Sequence, residues 1–132
     1  MCIRDRLSAI ADWLQLKGCG TVGTTIFEYE MPSACKDGIL LMDSYYGTPI
    51  NHEMPGYHAA EFRVILRATD LVPGRELAVR ASAALTIKTD APFGAKYIVK
   101  QSLPENEPRV YRRSKGGYWE FEVDVQCVWV DA

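Results

Sequence analysis

The clearest pattern in the chain is an alternation of apolar and polar residues over positions 116–130. The odd positions hold Trp119, Phe121, Val123, Val125, Cys127 and Trp129, and the even positions hold Glu120, Glu122, Asp124 and Gln126. Successive side chains of a β-strand point to opposite faces of a sheet. The pattern therefore predicts a strand that buries one face and carries a row of acidic side chains on the other.

Two other segments have the periodicity of amphipathic helices. The first is marked by apolar residues at helical spacing, Ile3, Leu7, Ile10, Ala11 and Leu14, and is expected to end near Gly18. The second covers residues 70–85, and its apolar stripe is formed by Leu77, Ala81, Ala84 and Leu85. Asp70 or a residue just after it can cap this helix, but Gly74 is a weak helix former and allows a start as late as Arg75.

The remaining segments predict strands separated by turns. β-branched and aromatic residues predict five more strands, over residues 22–30, 39–46, 57–69, 95–103 and 109–113. Residues 47–56 predict a loop and 88–94 a turn, because both contain proline and glycine. The resulting order, α-β-β-β-α-β-β-β in a single domain over residues 1–132, predicts an α+β fold. We expect a mostly antiparallel sheet with two helices packed on one face, a two-layer sandwich.

The last two strands are expected to form a hairpin with residues 114–117 as its loop. In that register Val110 faces Phe121, Arg112 faces Trp119 and Arg109 faces Glu122. Cross-strand pairs of these kinds contribute roughly 0.2–1 kcal/mol each to stability. A slip of one residue would turn the apolar face to solvent, so the register is expected to be strongly specified.

Composition and charge argue against several classes of function. Lys and Arg number 15 and Asp and Glu number 17, which gives a net charge of −2 and no general attraction for nucleic acid or anionic membranes. No run of about 18 apolar residues occurs, so no membrane-spanning helix is expected. The four cysteines, Cys2, Cys19, Cys35 and Cys127, lack the spacing of a zinc site and favour a reduced, intracellular site of folding.

Patterns that would indicate catalysis or a bound cofactor are weak. His52, Glu53, His58 and Glu61 lie close in sequence, but Pro55-Gly56 excludes the helix that a zinc-binding histidine pair needs, and a solvated loop is favoured. Cys35 has no histidine nearby in sequence and no G-x-S-x-G motif occurs. The stretch GCGTVG (18–23) runs from helix to strand, the opposite polarity to a phosphate-binding loop. We therefore expect no enzyme activity and no cofactor.

The acidic row on the last strand has a basic counterpart on neighbouring predicted strands, formed by Arg63, Arg67, Arg109, Arg112, Arg113 and Lys115. We favour ion pairing of these groups, within or between chains, or a solvated face. A divalent-ion site formed by the carboxylates is one alternative. A surface for single-stranded nucleic acid is another, and the balanced net charge argues against it.

Several short stretches, taken in order, resemble the tail-terminator or tail-completion proteins of long-tailed bacteriophages, a family also described as minor capsid proteins. They are TTIFEYEMP (24–32), GILLMDSYYGTP (38–49), MPGYHAAEFRVILRATD (54–70), ELAVRASAAL (76–85) and EPRVYRRSKGGYWEFEVDVQCVWV (107–130). An amphipathic helix precedes them, as in the family. The resemblance covers about residues 7–130.

This resemblance implies a structural protein of the virion tail or neck, assembled in the host cytoplasm, with no catalytic motif. It implies a ring, typically a hexamer, that sits on the end of the tail tube and stops its polymerisation. The expected partners are further copies of the chain, the tail tube protein and a head-neck connector protein. DNA is expected to pass through the lumen without sequence-specific binding, and no membrane is involved.

A ring suggests two roles for the charged residues. Carboxylates lining the channel would repel DNA phosphates, and the arginines would contact neighbouring subunits. The residues predicted to line the channel or form the interface are Glu120, Glu122, Asp124, Arg63, Arg67, Arg109 and Arg113. Two alternatives remain open. One is a head-closure or connector protein of the neck, and the other is a small-molecule-binding or enzymatic α+β domain with a pocket lined by His52, His58, Tyr45, Tyr46 and Tyr57.

Overall fold

The computed structural model describes residues 3–31, 37–43, 57–93, 97–113 and 118–131. In chain order these residues form α1 (Ile3–Leu16), β1 (Ile26–Glu28), β2 (Gly38–Asp43), β3 (Tyr57–Ala68), α2 (Leu71–Ala84), β4 (Ala91–Phe93), β5 (Tyr97–Pro104), β6 (Arg109–Arg113) and β7 (Trp119–Asp131). The fold is α+β, as predicted. Strand β4 lies inside the predicted turn 88–94, because three residues are too few to produce a recognisable alternation. The predicted loop 47–56 lies outside the described residues.

The strands form one mixed sheet with β7 in its interior. The order is β1-β2-β3-β7-β5-β4, and β6 also pairs with β7. Strand β1 runs parallel to β2, and the other five pairings are antiparallel. β3 pairs with nearly the whole length of β7 on one edge, while β5 and β6 follow one another along the other edge. Three strands therefore hydrogen-bond directly to β7.

The side chain of Asn106 occupies the gap between β5 and β6. The backbone N–H of Asp124 donates to Asn106 Oδ1 at 3.0 Å, and Asn106 Nδ2 donates to the carbonyl of Glu122 at 3.3 Å. Beside it, the N–H of Glu105 donates to the carbonyl of Asp124 at 2.7 Å. An amide side chain thus replaces the missing strand partner of β7, so that these backbone groups stay hydrogen-bonded.

The first helix lies within the curl of the sheet. α1 contacts β1, β2 and β4, and since β1 and β4 stand at opposite ends of the strand order, the sheet must curl around it. The ring of Trp13 stacks on Phe93 of β4 with centroids 4.6 Å apart, and its Nε1–H donates to the carbonyl of Ala84 in α2 at 2.8 Å. One tryptophan therefore links both helices to an edge strand.

The end of α1 is set by Gly18, as the sequence predicts. Gly18 has a φ of 80°, its N–H donates to Gln15, and the N–H of Cys19 donates to Leu14, both at 3.0 Å. This pair of bonds is the Schellman arrangement, in which a left-handed residue closes the last turn. The predicted inward stripe of α1 is also confirmed, since Leu7, Ile10, Ala11 and Leu14 are buried.

The second helix begins at Leu71, within the predicted range 70–85, and the alternative of a late start at Arg75 is wrong. Asp70 stands at the N-cap position without a capping side-chain hydrogen bond, and its carbonyl accepts from the N–H of Gly74 at 3.2 Å. Gly74 is buried against the sheet: a Cβ there would lie 2.7 Å from Phe121 Cε2 and 2.8 Å from the Ala68 Cβ. Close packing against the sheet therefore explains why this position is a glycine, although glycine is unfavourable in a helix by propensity alone.

The alternation of β7 is confirmed in the core. Phe121, Val123, Val125, Cys127 and Trp129 are buried together with the side chains of β3 that share their face, Phe62, Val64, Leu66 and Ala68. The hairpin register is confirmed where Arg109 pairs with Glu122 and Val110 with Phe121. Beyond that point the prediction is wrong: Arg112 pairs with Glu120, because the register shifts between Val110 and Arg112. Such a bulge adds one residue to a strand.

We predict that Gly74→Ala destabilises the protein. Helix propensity alone would favour alanine by about 1 kcal/mol. The added methyl group would overlap Phe121 and Ala68, and overpacking of a core costs typically about 1–3 kcal/mol. Urea unfolding should show a lower free energy of unfolding than for the wild type.

The matched control is Ala83→Gly on the exposed side of the same helix. It should lose about 1 kcal/mol through propensity alone. A Gly74→Ala variant more stable than the wild type would contradict the close packing of α2 on the sheet.

Candidate functional site

The predicted charged residues come together on the face of the sheet opposite the core. Arg63 pairs with Asp124, Ile65 with Glu122 and Arg67 with Glu120 across β3 and β7, and Arg109 of β6 lies opposite Glu122. Directly paired residues in an antiparallel sheet project to the same side. We call the set Arg63, Ile65, Arg67, Arg109, Glu120, Glu122 and Asp124 the charged face. The seventh predicted site residue, Arg113, stands on β6 opposite Trp119.

Ion pairs connect the three strands of the charged face. Arg67 Nη2 lies 4.0 Å from Glu120 Oε1, and Arg109 Nη2 lies 3.7 Å from Glu122 Oε1 and 3.6 Å from Asp124 Oδ2. The favoured interpretation of the sequence, ion pairing between the acidic row and the arginines, is thereby confirmed within one chain. The guanidinium of Arg67 also lies 5.8 Å from the ring centre of Tyr118, close enough for a cation–π contact.

The alternative of a solvated acidic row is wrong for two of its three members. Glu120 and Glu122 are each only 3% exposed, while Asp124 is half-buried. Ile65, between them on β3, is buried on the same side of the sheet. Alternation shows which face a side chain occupies, but not whether neighbouring strands cover it. A buried carboxylate is tolerable only with a counter-charge or hydrogen bonds, and the arginines provide the counter-charge.

The carboxyl of Glu122 has a raised pKa. Burial raises the pKa of this carboxyl, and repulsion by Asp124 raises it further, while the charges of Arg109 and Arg63 act in the opposite direction. Desolvation outweighs the nearby arginines, so Glu122 releases its proton at a higher pH than an ordinary glutamate.

A second acidic group adjoins the charged face and was missed by the sequence analysis. We call Glu61, Glu105 and Asp124 the acidic strip. Partial desolvation raises the pKa of Glu105, and a hydrogen bond with Glu61 and repulsion from Glu61 and Asp124 raise it further. Glu105 comes close to Asp124 because its N–H bonds the carbonyl of that residue. The sequence contained one signal: Asn106 between the prolines of PENEP suits a side chain that bonds to backbone groups.

The described residues offer little for catalysis. No group of three or more His, Cys, Asp or Glu side chains among them is placed to hold a metal ion. Burial raises the pKa of the Cys127 thiol to about 12, which makes it a poor nucleophile. Cys35, His52, Glu53, Tyr45 and Tyr46, which entered the metal, nucleophile or pocket hypotheses, lie outside the described residues.

An open groove of about 860 Å³ lies between α2 and the segment that joins β5 to β6. Its lining includes Arg75, Val79, Lys88, Leu103 and Glu107, and it contains neither histidine nor tyrosine. It is therefore not the pocket that the small-molecule alternative predicts. No helix in the described part of the chain has the length and hydropathy needed to span a bilayer.

Comparison with known proteins identifies the family. The family profile described as "Bacteriophage tail terminator protein" matches residues 13–130, nearly the whole chain. The chain belongs to this family. The predicted resemblance is thus confirmed, and the protein is a structural component of the phage virion tail.

A solved structure supports the fold of this tail terminator. A chain from the virion of a native gene transfer agent particle superimposes with a TM-score of 0.69 at 13% sequence identity. The alignment covers 96% of this chain and 94% of that chain. At this level of identity the likeness concerns the fold. A search of curated protein sequences finds no significant match.

We predict a pH-dependent effect of Glu122→Gln. Because the pKa of Glu122 is raised above 4.5 in the folded chain, its stabilising contribution is complete below about pH 4.5 and is lost as the pH rises through the raised pKa. Glutamine stays neutral at every pH, so the variant does not lose this stabilising contribution as the pH rises. The free energy of unfolding of the variant, relative to the wild type, should therefore rise between pH 4.5 and 7, as measured by urea titration.

The exposed Glu76→Gln on α2 is the control for the loss of one negative charge. The difference between the two variants isolates the effect of burial. If that difference does not change with pH, or changes in the opposite direction, the desolvation of Glu122 is refuted.

Proposed function

We propose that this protein forms a ring, expected to be a hexamer, that caps the tail tube, joins it to the head-neck connector and leaves a central passage for DNA. The observation that carries the proposal is the family match over residues 13–130. The protein acts by contact with copies of itself and with other virion proteins, and catalysis has no part in the role.

A two-layer architecture suits such a subunit, and we include it in the proposal. Buried side chains of both helices, such as Leu14 and Ala81, belong to the same core cluster as Phe121 and Val125. The helices then form one layer and a largely antiparallel sheet the other. The opposite side of the sheet, with the charged face, is left for contact with neighbours or with the DNA passage.

Within the charged face we assign different roles to the buried and the exposed carboxylates. Glu120 and Glu122, paired with Arg67 and Arg109, hold β3, β7 and β6 together. The acidic strip, which is more exposed, faces the passage. Carboxylates there would repel DNA phosphates and let the duplex slide, whereas a basic lining would gain affinity for each phosphate that it neutralised.

The proposal predicts what cryo-electron microscopy of the protein mixed with purified tail tubes will show. A closed ring should cover one end of each tube and prevent further addition of tube protein. In the reconstruction, Glu61, Glu105 and Asp124 should border the lumen. Tubes that keep growing in the presence of the protein, with bare ends, would contradict the capping role.

The same images separate the neck alternatives. Rings bound to the portal end of DNA-filled heads, and absent from tube ends, would favour the head-closure or connector role. Rings on tube ends whose lumen is bordered by other residues would leave capping intact and refute the role of the acidic strip.

A further inference from the structure

The outer side of α2 is apolar. Val72 and Val79 are 66% and 55% exposed, and Ala83, also exposed, follows four residues later on the same side of the helix. We call these three residues the helix ridge. The buried Gly74 and Ala78 lie on the opposite side of the helix. Valine is a weaker helix former than alanine or glutamate, and a helix that is apolar on all sides is normally buried. The ridge is therefore suited to contact with another surface.

Strand β7 is apolar on both faces at its C-terminal end. Cys127 and Trp129 are buried in the core, so Val128 and Val130 point to the outer face of the sheet, where they are half-buried. From residue 120 to Gln126, the same outer positions hold acidic or amide side chains. An unbroken apolar run is typical of a strand that is covered on both faces. The outer face of β7 thus changes from charged to apolar near its end.

Neighbouring strands extend this apolar area. Val130 pairs with Ile98, Ile98 with Pro92, and Val128 with Ala59, and directly paired residues project to the same face. Pro92 and Ala59 are exposed, and Ile98 is half-buried. We call these five residues the apolar sheet patch. It extends across the four strands β4, β5, β7 and β3, a width of about 14 Å.

The helix ridge and the apolar sheet patch face away from one another in a single chain. α2 lies on the core face of the sheet, where Gly74 adjoins Phe121 and Ala68, and its ridge points away from the sheet. The patch is on the other face, so the two surfaces can meet only between two molecules. Their sizes are comparable, because the rise from Val72 to Ala83 is about 17 Å. A helix on a sheet face is also a standard packing of layers.

The charges beside the two surfaces are complementary. Exposed beside the ridge are two basic groups and one acidic group, Arg75, Arg80 and Glu76. Exposed beside the patch are two acidic groups and one basic group, Glu61, Asp90 and Lys100. The ridge and the patch themselves contain no charged residue, so their contact would bury no ion. The surrounding charges would favour this pairing over a contact between two ridges or two patches.

We propose that the helix ridge of one copy packs on the apolar sheet patch of a second copy of this chain. Both halves of the contact are present on the chain, which makes a second copy the partner. Because the two halves differ, the contact is head-to-tail and closes into a ring when the rotation allows. This inference rests on the proposed ring and assigns the contact that builds it.

The ridge variant is Val72→Glu with Val79→Glu. It places two carboxylates in the apolar contact, where their burial is unfavourable, while glutamate is a better helix former than valine at exposed positions. The matched control is Leu16→Glu with Val22→Glu. These residues are also apolar and exposed, at 76% and 40%, and lie outside both surfaces.

The patch variant is Ala59→Glu with Pro92→Glu. Both residues are exposed, on β3 and β4, so the substitutions alter the surface of the patch without entering the core. The matched control is Thr69→Glu with Thr89→Glu, at exposed positions that follow β3 and precede β4.

Assembly is measured by analytical ultracentrifugation, after circular dichroism shows that each variant is folded. The ridge variant and the patch variant should each stay monomeric at concentrations at least tenfold above those at which the wild type assembles. Both controls should assemble like the wild type. An equal mixture of the two variants should form dimers and no rings. In such a dimer the intact patch of the ridge variant receives the intact ridge of the patch variant, and the two altered surfaces prevent further addition.

The contact is refuted if either folded variant forms rings as the wild type does, or if the equal mixture stays monomeric. If the patch variant unfolds, Ala59→Glu alone replaces it and should weaken assembly at least tenfold. If the wild type forms rings only on purified tube ends, electron microscopy of those ends is the measurement: each variant should leave them bare and each control should cap them. A wild-type chain that forms no ring in solution or on tube ends would instead contradict the proposed function, which is a separate outcome.

Discussion

β7 has one apolar face that must be buried and one face that carries carboxylates, and the rest of the structure depends on how both faces are covered. One face consists of large apolar side chains that have to leave water, and the other carries three carboxylates, two of which are buried. The apolar face is covered by the two helices and the curled sheet. The carboxylates are offset by arginines from β3 on one edge and β6 on the other. Strand pairing and charge pairing therefore support each other, since a shift of either neighbour would separate a buried carboxylate from its guanidinium.

The sequence predicted the features that are repeated many times or that depend on a special residue. The alternation of β7 runs over many residues, so its core face could be identified with little ambiguity. Gly18 marked the end of α1 because few other residues tolerate a φ of 80°. The order of the predicted elements was sufficient for the α+β class, and the short stretches in sequence order pointed to the family.

The features that the sequence did not predict depend on contacts between distant residues. Gly74 counts against a helix by propensity, and only its contact with Phe121 explains its presence. The burial of Glu120 and Glu122 depends on which strands flank β7, which alternation does not encode. The role of Asn106 likewise follows from the meeting of β5 and β6 on one edge, and the register shift inside β6 is a local irregularity that alternation does not encode. At the candidate site, the residue types were therefore predictable and the degree of exposure was not.

The distribution of charge is also consistent with a protein that binds copies of itself and other virion proteins, as proposed above. The described residues offer no cluster for a metal ion, and the thiol of Cys127 is held in an unreactive state. In the described part of the chain, β6 carries arginines and the segment at β1 carries Glu28 and Glu30. These charged groups are consistent with the proposed role in assembly.

A double-mutant cycle on Arg67 and Glu120 tests most directly whether ion pairs offset the buried carboxylates of β7. The three variants are Arg67→Met, Glu120→Gln and the double substitution, with free energies of unfolding from urea titration. We expect each single variant to lose stability and the double variant to lose less than the two losses combined, by about 0.5–3 kcal/mol. Losses that simply add would contradict the account, because the two side chains would then act independently.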